Sequence, residues 1–65
     1  MEKEWVRVYF APEELKIEFA RQALERLEID SVTINKKDRT YGFGDFELYV
    51  HRDNVIRAKQ ILKDF

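Results

Sequence analysis

The residue types that most often do chemistry are sparse in this chain of 65 residues. It has one histidine, His51, which forms a His-x-Asp pair with Asp53, and it has no cysteine. A metal site needs three or four converging ligands, and neither a second histidine nor a thiolate is available to complete one. We therefore expect His51 to be a junction residue at the start of a helix, and we expect no metal and no cofactor.

Acidic residues are abundant, but their arrangement does not predict acid–base catalysis. Glu13 and Glu14 follow Pro12 where a helix should begin, and carboxylates there interact favourably with the helix dipole. Ser31 is the sole serine and has no histidine near it in the sequence, so it is expected to open a strand. With no pair of carboxylates placed for burial together, we expect no enzyme activity.

Positive charge is concentrated in residues 36–44. This segment has three cations against one carboxylate, a net charge of +2, whereas the rest of the chain carries −3. One interpretation is a loop that docks an acidic partner or a phosphate-bearing ligand. The other, which we favour, is a solvated loop whose two aromatic side chains fold back over the sheet, since charged loop tips are common on soluble surfaces. The candidate contacts are Lys36, Lys37, Arg39, Tyr41 and Phe43.

Composition indicates one folded domain over residues 1–65. The 12 basic and 13 acidic residues leave a net charge of −1, which is not typical of a nucleic-acid-binding domain. Apolar runs are too short to span a membrane, and the first residues lack the order of a signal peptide, so we expect a cytoplasmic protein. A chain this short needs a compact core, which places any ligand or partner on the surface.

Alternation and helical spacing predict five elements. Residues 5–10 form a strand with Trp5, Arg7 and Tyr9 on one face and Val6, Val8 and Phe10 towards the core. Proline suits the first position of the helix that follows. Its inward side is predicted to comprise Leu15, Phe19, Ala20, Ala23, Leu24 and Leu27, with Ile17 at the margin.

Two more strands and a helix complete the chain. Residues 31–35 are β-branched and alternate, and residues 45–50 alternate with Phe46, Leu48 and Val50 towards the core. Asp53 is a suitable N-cap for the second helix. The inward side of that helix is predicted to comprise Val55, Ala58, Ile61, Leu62 and Phe65.

The order strand, helix, strand, strand, helix predicts a ferredoxin-like α+β fold. A right-handed crossover through the first helix leaves the third strand between the other two, so the three-stranded antiparallel sheet has the order 1-3-2. Both helices then cover one face of the sheet. The other face stays bare, and the first strand keeps an unpaired edge that invites a partner strand or a second copy.

The bare face is the predicted interaction surface. We expect Arg7 and Glu47 to pair across the sheet. Large aromatic side chains on an uncovered sheet are typical of an interface, although they also occur as ordinary strand residues lying flat on their neighbours. RNA-recognition domains stack bases on such a face, but Asp45 and Glu47 would repel phosphate, so a protein partner or a homodimer is expected and nucleic acid is not. The predicted surface comprises Trp5, Arg7, Tyr9, Thr33, Glu47 and Tyr49.

Several core motifs resemble a known family. They are the Trp/Val-rich first strand, Leu24-Glu25 before Ile29, the "IN" that closes the second strand, the Gly-bearing loop, "ELYV", and Ala58 with Ile61-Leu62. The chain is similar over nearly its whole length to short bacterial domains described as prokaryotic signal-transducing proteins. Family members often have glycine where this chain has Glu28, so a left-handed helix end there would be strained.

The resemblance implies a topology like that of the nitrogen regulator PII, whose long loop between strands two and three meets partners. It brings no catalytic residue. Our leading hypothesis is a non-catalytic bacterial interaction or regulatory module that uses the bare sheet face and the 36–44 loop. The alternative is a sensor that binds an anionic metabolite or a nucleotide against the basic loop.

Overall fold

The computed structural model describes residues 4–36 and 45–65, and it confirms the predicted ferredoxin-like α+β fold. The three strands form one antiparallel sheet in the order β1-β3-β2. A 3-10 turn, Arg52–Asn54, joins β3 to the second helix. The elements are β1 (Trp5–Ala11), α1 (Glu14–Glu25), β2 (Ser31–Asn35), β3 (Phe46–His51) and α2 (Val55–Ile61).

Both helices pack on the same face of the sheet and enclose one apolar core with it. The middle strand contributes Leu48 and Val50, which are fully buried, as alternation in residues 45–50 predicts. Phe46, Val55 and Ile61 pack against the same cluster, whereas Phe65 remains half exposed. The buried core residues are Ala11, Ile17, Ala20, Leu24, Ile29, Leu48, Val50, Ala58 and Leu62.

A β-bulge in β1 corrects the predicted assignment of faces on that strand. Arg7 is opposite Tyr49, but Tyr9 is opposite Leu48, so Val8 is the extra residue. One inserted residue moves every following side chain to the other face of a strand. Tyr9 therefore packs against the core, and Phe10, which was expected inside, is 54% exposed on the other face.

The second strand also presents its faces the opposite way from the prediction. Thr33 is opposite the buried Leu48, while Val32 and Ile34 are opposite Tyr49 and Glu47. The polar side of β2 thus faces the helices and its β-branched apolar side faces away from them. This reverses the usual pattern of a half-covered antiparallel sheet, in which apolar residues face the core.

The inward position of Thr33 leads to a stability prediction. Its hydroxyl oxygen is buried and has no hydrogen-bond partner among the described residues. A buried polar group without a partner costs about 1–3 kcal/mol, and valine has the same shape without that group. We expect Thr33→Val to raise the free energy of unfolding, measured by urea denaturation, by about 1 kcal/mol. Thr33→Ser, which keeps the hydroxyl and loses the methyl, should destabilise the chain.

Helix α1 packs with only part of the predicted side. Ile17, Ala20 and Leu24 are fully buried, whereas Leu15 and Phe19 are 64% and 53% exposed. The predicted stripe spans about half the helix circumference at 100° per residue, so only part of it can meet a flat sheet. The part that does includes Ala20 and Leu24, with Ile17 beside it, and the exposed part includes Leu15 and Phe19. Leu27 is half exposed and follows Glu25, the last residue of the helix.

Helix α1 also begins later than expected. Glu13 is extended and acts as the N-cap residue without a side-chain capping bond, and Glu14 is the first helical residue. Pro12 therefore lies before the cap and not at the first helical position. The two acidic residues stay close to the positive end of the helix dipole, as expected.

The end of α1 forms a Schellman turn around a residue with unfavourable backbone geometry. The amide of Ile29 donates to the carbonyl of Leu24 (3.0 Å), and the amide of Glu28 donates to that of Glu25 (2.9 Å). Ile29 and Leu24 are both buried, which is the apolar contact that accompanies this motif. Glu28 has φ of 62°, the left-handed region that glycine occupies without a steric penalty.

This geometry predicts that Glu28→Gly stabilises the protein. A left-handed conformation costs a non-glycine residue about 1–2 kcal/mol, and the greater freedom of glycine in the unfolded chain offsets part of the gain. We expect the free energy of unfolding to rise by about 0.5–1 kcal/mol, which corresponds to a few degrees in melting temperature. Glu28→Ala removes the same charge but keeps the Cβ atom, so a matching rise in Glu28→Ala would contradict this account.

The junction between β3 and α2 is capped by the histidine and not by the predicted aspartate. The Nδ1 atom of His51 accepts a hydrogen bond from the backbone amide of Asp53 (3.2 Å), and it lies 3.4 Å from the Asp53 carboxylate. Helix α2 starts at Val55 after Asn54, three residues beyond Arg52. The 3-10 turn inserted there moves the start of α2 past Asp53, which explains the error.

Candidate functional site

The open face, as we call the sheet face opposite the helices, is built from three cross-strand rows. Trp5 pairs with His51 in the first row; the second and third rows cross all three strands. Partners in register share a face of the sheet, which fixes the membership of this surface. The open face comprises Trp5, Arg7, Phe10, Val32, Ile34, Glu47, Tyr49 and His51.

The centre of the open face is a carboxylate that accepts two hydrogen bonds and forms an ion pair with a lysine. Glu47 Oε2 accepts from Arg7 (3.0 Å), Glu47 Oε1 accepts from the Tyr49 hydroxyl (2.7 Å), and the Lys36 ammonium is 3.8 Å from Oε1. Glu47 is 9% exposed although no described helix lies over this face. Its neighbours on the three strands therefore shield it, and its charge is balanced within the surface.

These contacts shift the pKa values of Glu47 and Tyr49. Burial alone would raise the pKa of Glu47, but hydrogen bonds from Tyr49 and Arg7 and the charge of Lys36 together hold that pKa below its ordinary value. The hydrogen bond to Glu47, with burial and the charge of the carboxylate, raises the pKa of Tyr49. Glu47 is thus a fixed anion at neutral pH, whereas a general acid or base works best with a pKa near the working pH.

Apolar side chains surround this charged centre. Phe10 and Val32 are 54% and 38% exposed, and they lie on opposite edge strands of the sheet. The Arg7 guanidinium lies 4.9 Å from the centre of the Phe10 ring, a cation–π contact that orients both groups. The rings of Trp5 and His51 meet edge to face at 6.0 Å. The surface is thus an ordered apolar frame around an internally paired charge.

The predicted site residues divide into three groups. Trp5, Arg7, Glu47 and Tyr49 lie on the open face, and the predicted pairing of Arg7 with Glu47 is confirmed. Tyr9 was wrongly placed there, because the bulge turns it towards the core, where its ring meets Phe65 edge to face. Thr33 was also wrongly placed there, because it is opposite the buried Leu48 and faces the helices. The remaining predictions concern the loop, of which Lys37, Arg39, Tyr41 and Phe43 lie outside the described residues.

Lys36 is the one loop candidate that the structure describes, and its side chain lies beside the open face at Glu47. Its backbone amide donates to the Asp45 carbonyl (3.1 Å), which closes the base of the loop. Its ammonium group forms an ion pair with Glu47. Lys36 therefore balances an acidic residue of the same chain instead of presenting an unpaired cation.

Three apolar members of the open face were not predicted: Phe10, Val32 and Ile34. For the two residues of β2 the apolar alternation was visible, but it was assigned to the core, as binary patterning ordinarily requires. For Phe10 the relevant residue is its neighbour Ala11. Unbroken alternation would place Ala11 on the outer face, whereas the structure buries it and exposes Phe10.

Other site types find no support in the part of the chain that the structure describes. Within it, no group of three or more His, Cys, Asp or Glu side chains could hold a metal ion. Neither described helix has the length and apolar character needed to cross a bilayer. Among the described residues, the open face is thus the surface that combines exposed apolar side chains with a buried, paired carboxylate.

Comparison with known proteins gives no match from which a function could be inferred, so the geometry of the open face is the basis for one. No family model matches the chain, and neither the curated proteins nor the solved structures give a match. The resemblance to bacterial signal-transducing domains therefore stays a prediction, and what the chain shows is its ferredoxin-like α+β fold.

Proposed function

We propose that this chain is a small interaction module that binds a protein partner through the open face. The observation that carries the proposal is the reversed patterning of the edge strands. Phe10 on β1 and both apolar residues of β2, Val32 and Ile34, face away from the helices, while Thr33 faces them. Covering a phenylalanine or valine side chain contributes about 1.5–3 kcal/mol, so a partner on this face would gain much from these positions.

The charged centre of the face supports the same function. Bringing an unpaired carboxylate into an interface is expensive, and such a residue would oppose binding. Glu47 already accepts hydrogen bonds from Arg7 and Tyr49 and forms an ion pair with Lys36 within the chain. A partner can therefore cover the centre without first finding a counter-charge for it, and its binding energy comes from the surrounding apolar side chains.

The role we assign is binding and not catalysis. Among the described residues Glu47 is the one carboxylate of the open face, and its lowered pKa makes it a poor proton carrier near neutral pH. Through the family resemblance, we would place the partner in a bacterial signalling pathway in the cytoplasm. This part of the proposal depends on sequence motifs alone.

Two phenylalanines provide a matched test. Phe10 is 54% exposed on the open face, and Phe19 is 53% exposed on the outer side of α1. Wild type, Phe10→Ser and Phe19→Ser would each be immobilised and used to capture partners from a lysate of the source organism, with folding checked by circular dichroism. We expect Phe10→Ser to lose the partner that wild type and Phe19→Ser retain. Loss in Phe19→Ser alone would move the interface to the helices.

Sedimentation equilibrium over a wide concentration range identifies whether the partner is a second copy. A homodimer through the open face would dissociate on dilution, and Val32→Asp should shift the wild-type equilibrium towards monomer. A wild-type chain that stays monomeric would direct the search to a different protein. A dimer that Val32→Asp leaves unchanged would place self-association outside this face.

A further inference from the structure

A groove of about 430 Å³ runs along the free edge of β1. It is lined by Arg7, Val8, Tyr9 and Phe10 together with Lys59 of α2. Arg7 and Phe10 lie on the open face, whereas Val8 and Tyr9 pack against the core. A groove that touches all four residues therefore follows the side of the strand and not one of its faces. Since β3 pairs with the other side of β1, the groove lies on the side that no described strand occupies.

Two cations line the groove although the chain as a whole carries −1. Among the described residues its lining contains Arg7, which is paired with Glu47, and Lys59, and it contains no acidic residue. One terminal nitrogen of Arg7 binds Glu47, while the side chain as a whole is 51% exposed. Because a guanidinium has five N–H donors, Arg7 keeps donors for a second acceptor, and its contacts with Glu47 and Phe10 hold it in place.

The backbone beside these cations suits an extended peptide. An edge strand offers amide and carbonyl groups that a further strand can pair with, and this mode of peptide binding takes its specificity from side-chain pockets. The bulge at Val8 interrupts the regular spacing of that edge. A long regular strand, such as the same edge of a second copy, is therefore disfavoured, and a short segment fits better.

We propose that the groove binds a short extended segment of the partner, with an Asp or Glu side chain placed between Arg7 and Lys59. This inference rests on the proposed function, because Arg7 and Phe10 belong to both the groove and the open face. A partner that covers the open face would reach the groove across the Phe10 ring. The groove then selects for acidic partners, while the open face provides apolar contact.

Display of random twelve-residue peptides tests the groove without knowledge of the partner. Wild type, Lys59→Gln and Arg57→Gln would be used as separate targets. Lys59 and Arg57 are both exposed on α2, and each substitution removes one positive charge. Only Lys59 lines the groove, so Arg57→Gln is the control for the change in net charge. We expect acidic residues to be enriched in peptides selected by wild type and by Arg57→Gln, and this enrichment to disappear with Lys59→Gln.

The strongest selected peptide would then be titrated against each variant. We expect Lys59→Gln to weaken it about tenfold, the effect of losing one hydrogen bond to a charged group, and Arg57→Gln to leave the affinity within about twofold. Amide chemical shifts should change at residues 7–10 and at Lys59. Equal weakening by both variants, or selected peptides without acidic residues, would overturn the proposal.

Two further measurements separate the possible failures. Val32→Asp alters the open face outside the groove, so it should lose the natural partner and still bind the selected peptide. If Phe10→Ser loses the partner but wild type selects no acidic peptide, the open face stands and the groove proposal fails. If inorganic phosphate gives the same shifts and competes with the peptide at equal affinity, the groove is a simple anion site and the proposal is likewise wrong.

Discussion

Leu48→Ala is expected to cause a large loss in the free energy of unfolding. Leu48 is fully buried in the middle strand, between Tyr9 and Thr33 in register. Truncating a buried leucine to alanine costs about 2–5 kcal/mol, because transfer energy is lost and a cavity remains. A domain of this size has about 3–10 kcal/mol of total stability, so this substitution removes about a fifth of it or more, and it unfolds a chain at the low end of that range.

The cavity is less able to relax here than at the edge of a core. Leu48 has a strand neighbour on each side and both helices on its face of the sheet. Urea denaturation followed by circular dichroism measures the loss, and Leu15→Ala is the control, since Leu15 is 64% exposed on α1. We expect the control to change stability by less than about 0.5 kcal/mol. A Leu48→Ala loss as small as that of the control would mean that the core is centred elsewhere.

The inward and outward faces of β3 were predictable for the same physical reason that makes this strand sensitive to core substitutions. β3 is covered by helices on one face and paired on both edges, so its alternation of Phe46, Leu48 and Val50 has one consistent solution. Edge strands are less constrained, because one side has no pairing partner to fix the register. A bulge there is invisible to a rule that assumes a strict period of two, which is how Tyr9 and Phe10 exchanged faces.

The candidate site was predictable in its polar part and not in its apolar part. Arg7 and Glu47 have opposite charges and lie on neighbouring strands. Arg7 precedes the bulge in β1, and Glu47 lies on the regular strand β3, so their pairing follows from the fold. Val32 and Ile34 could not be placed correctly, because patterning assigns apolar side chains to the core of the same chain. A sequence rule that considers one chain cannot recognise apolar residues that face outwards.

Helix α1 shows a related limit. Leu15 and Ile17 both satisfy helical spacing with later apolar residues, and the sequence alone does not determine which series meets the sheet. In the structure the series of Ile17, Ala20 and Leu24 meets the sheet, since these three side chains are fully buried. Helical spacing of apolar residues by itself does not specify which series is buried.

The second large effect is expected at the centre of the open face. Glu47→Gln keeps the shape of the side chain but removes the charge that Arg7 and Lys36 share, 3.0 and 3.8 Å away. A hydrogen bond to a charged group contributes about 1.5–3 kcal/mol, and leaving a partly buried partner unpaired adds to the cost. We expect Glu47→Gln to lose about 1–3 kcal/mol at pH 7, measured by urea denaturation.

The pH dependence of that loss distinguishes charge from packing. Because the pKa of Glu47 is lower in the folded chain than its ordinary value of 4.5, the unfolded chain binds more protons between the two values. Its contribution is therefore complete above pH 4.5 and declines as the pH falls through the folded value. We expect wild type and Glu47→Gln to differ most at neutral pH and to converge at low pH.

Glu18→Gln is the matched control for this experiment. A hydrogen bond from Arg21 at 2.9 Å also lowers the pKa of Glu18, but this pair lies on the solvated surface of α1, where water and salt screen the interaction. We expect Glu18→Gln to change stability much less than Glu47→Gln does at neutral pH. If the loss in Glu47→Gln stayed constant from neutral to low pH, its origin would be side-chain packing. The open face would then lack the internal charge balance that lets a partner cover it.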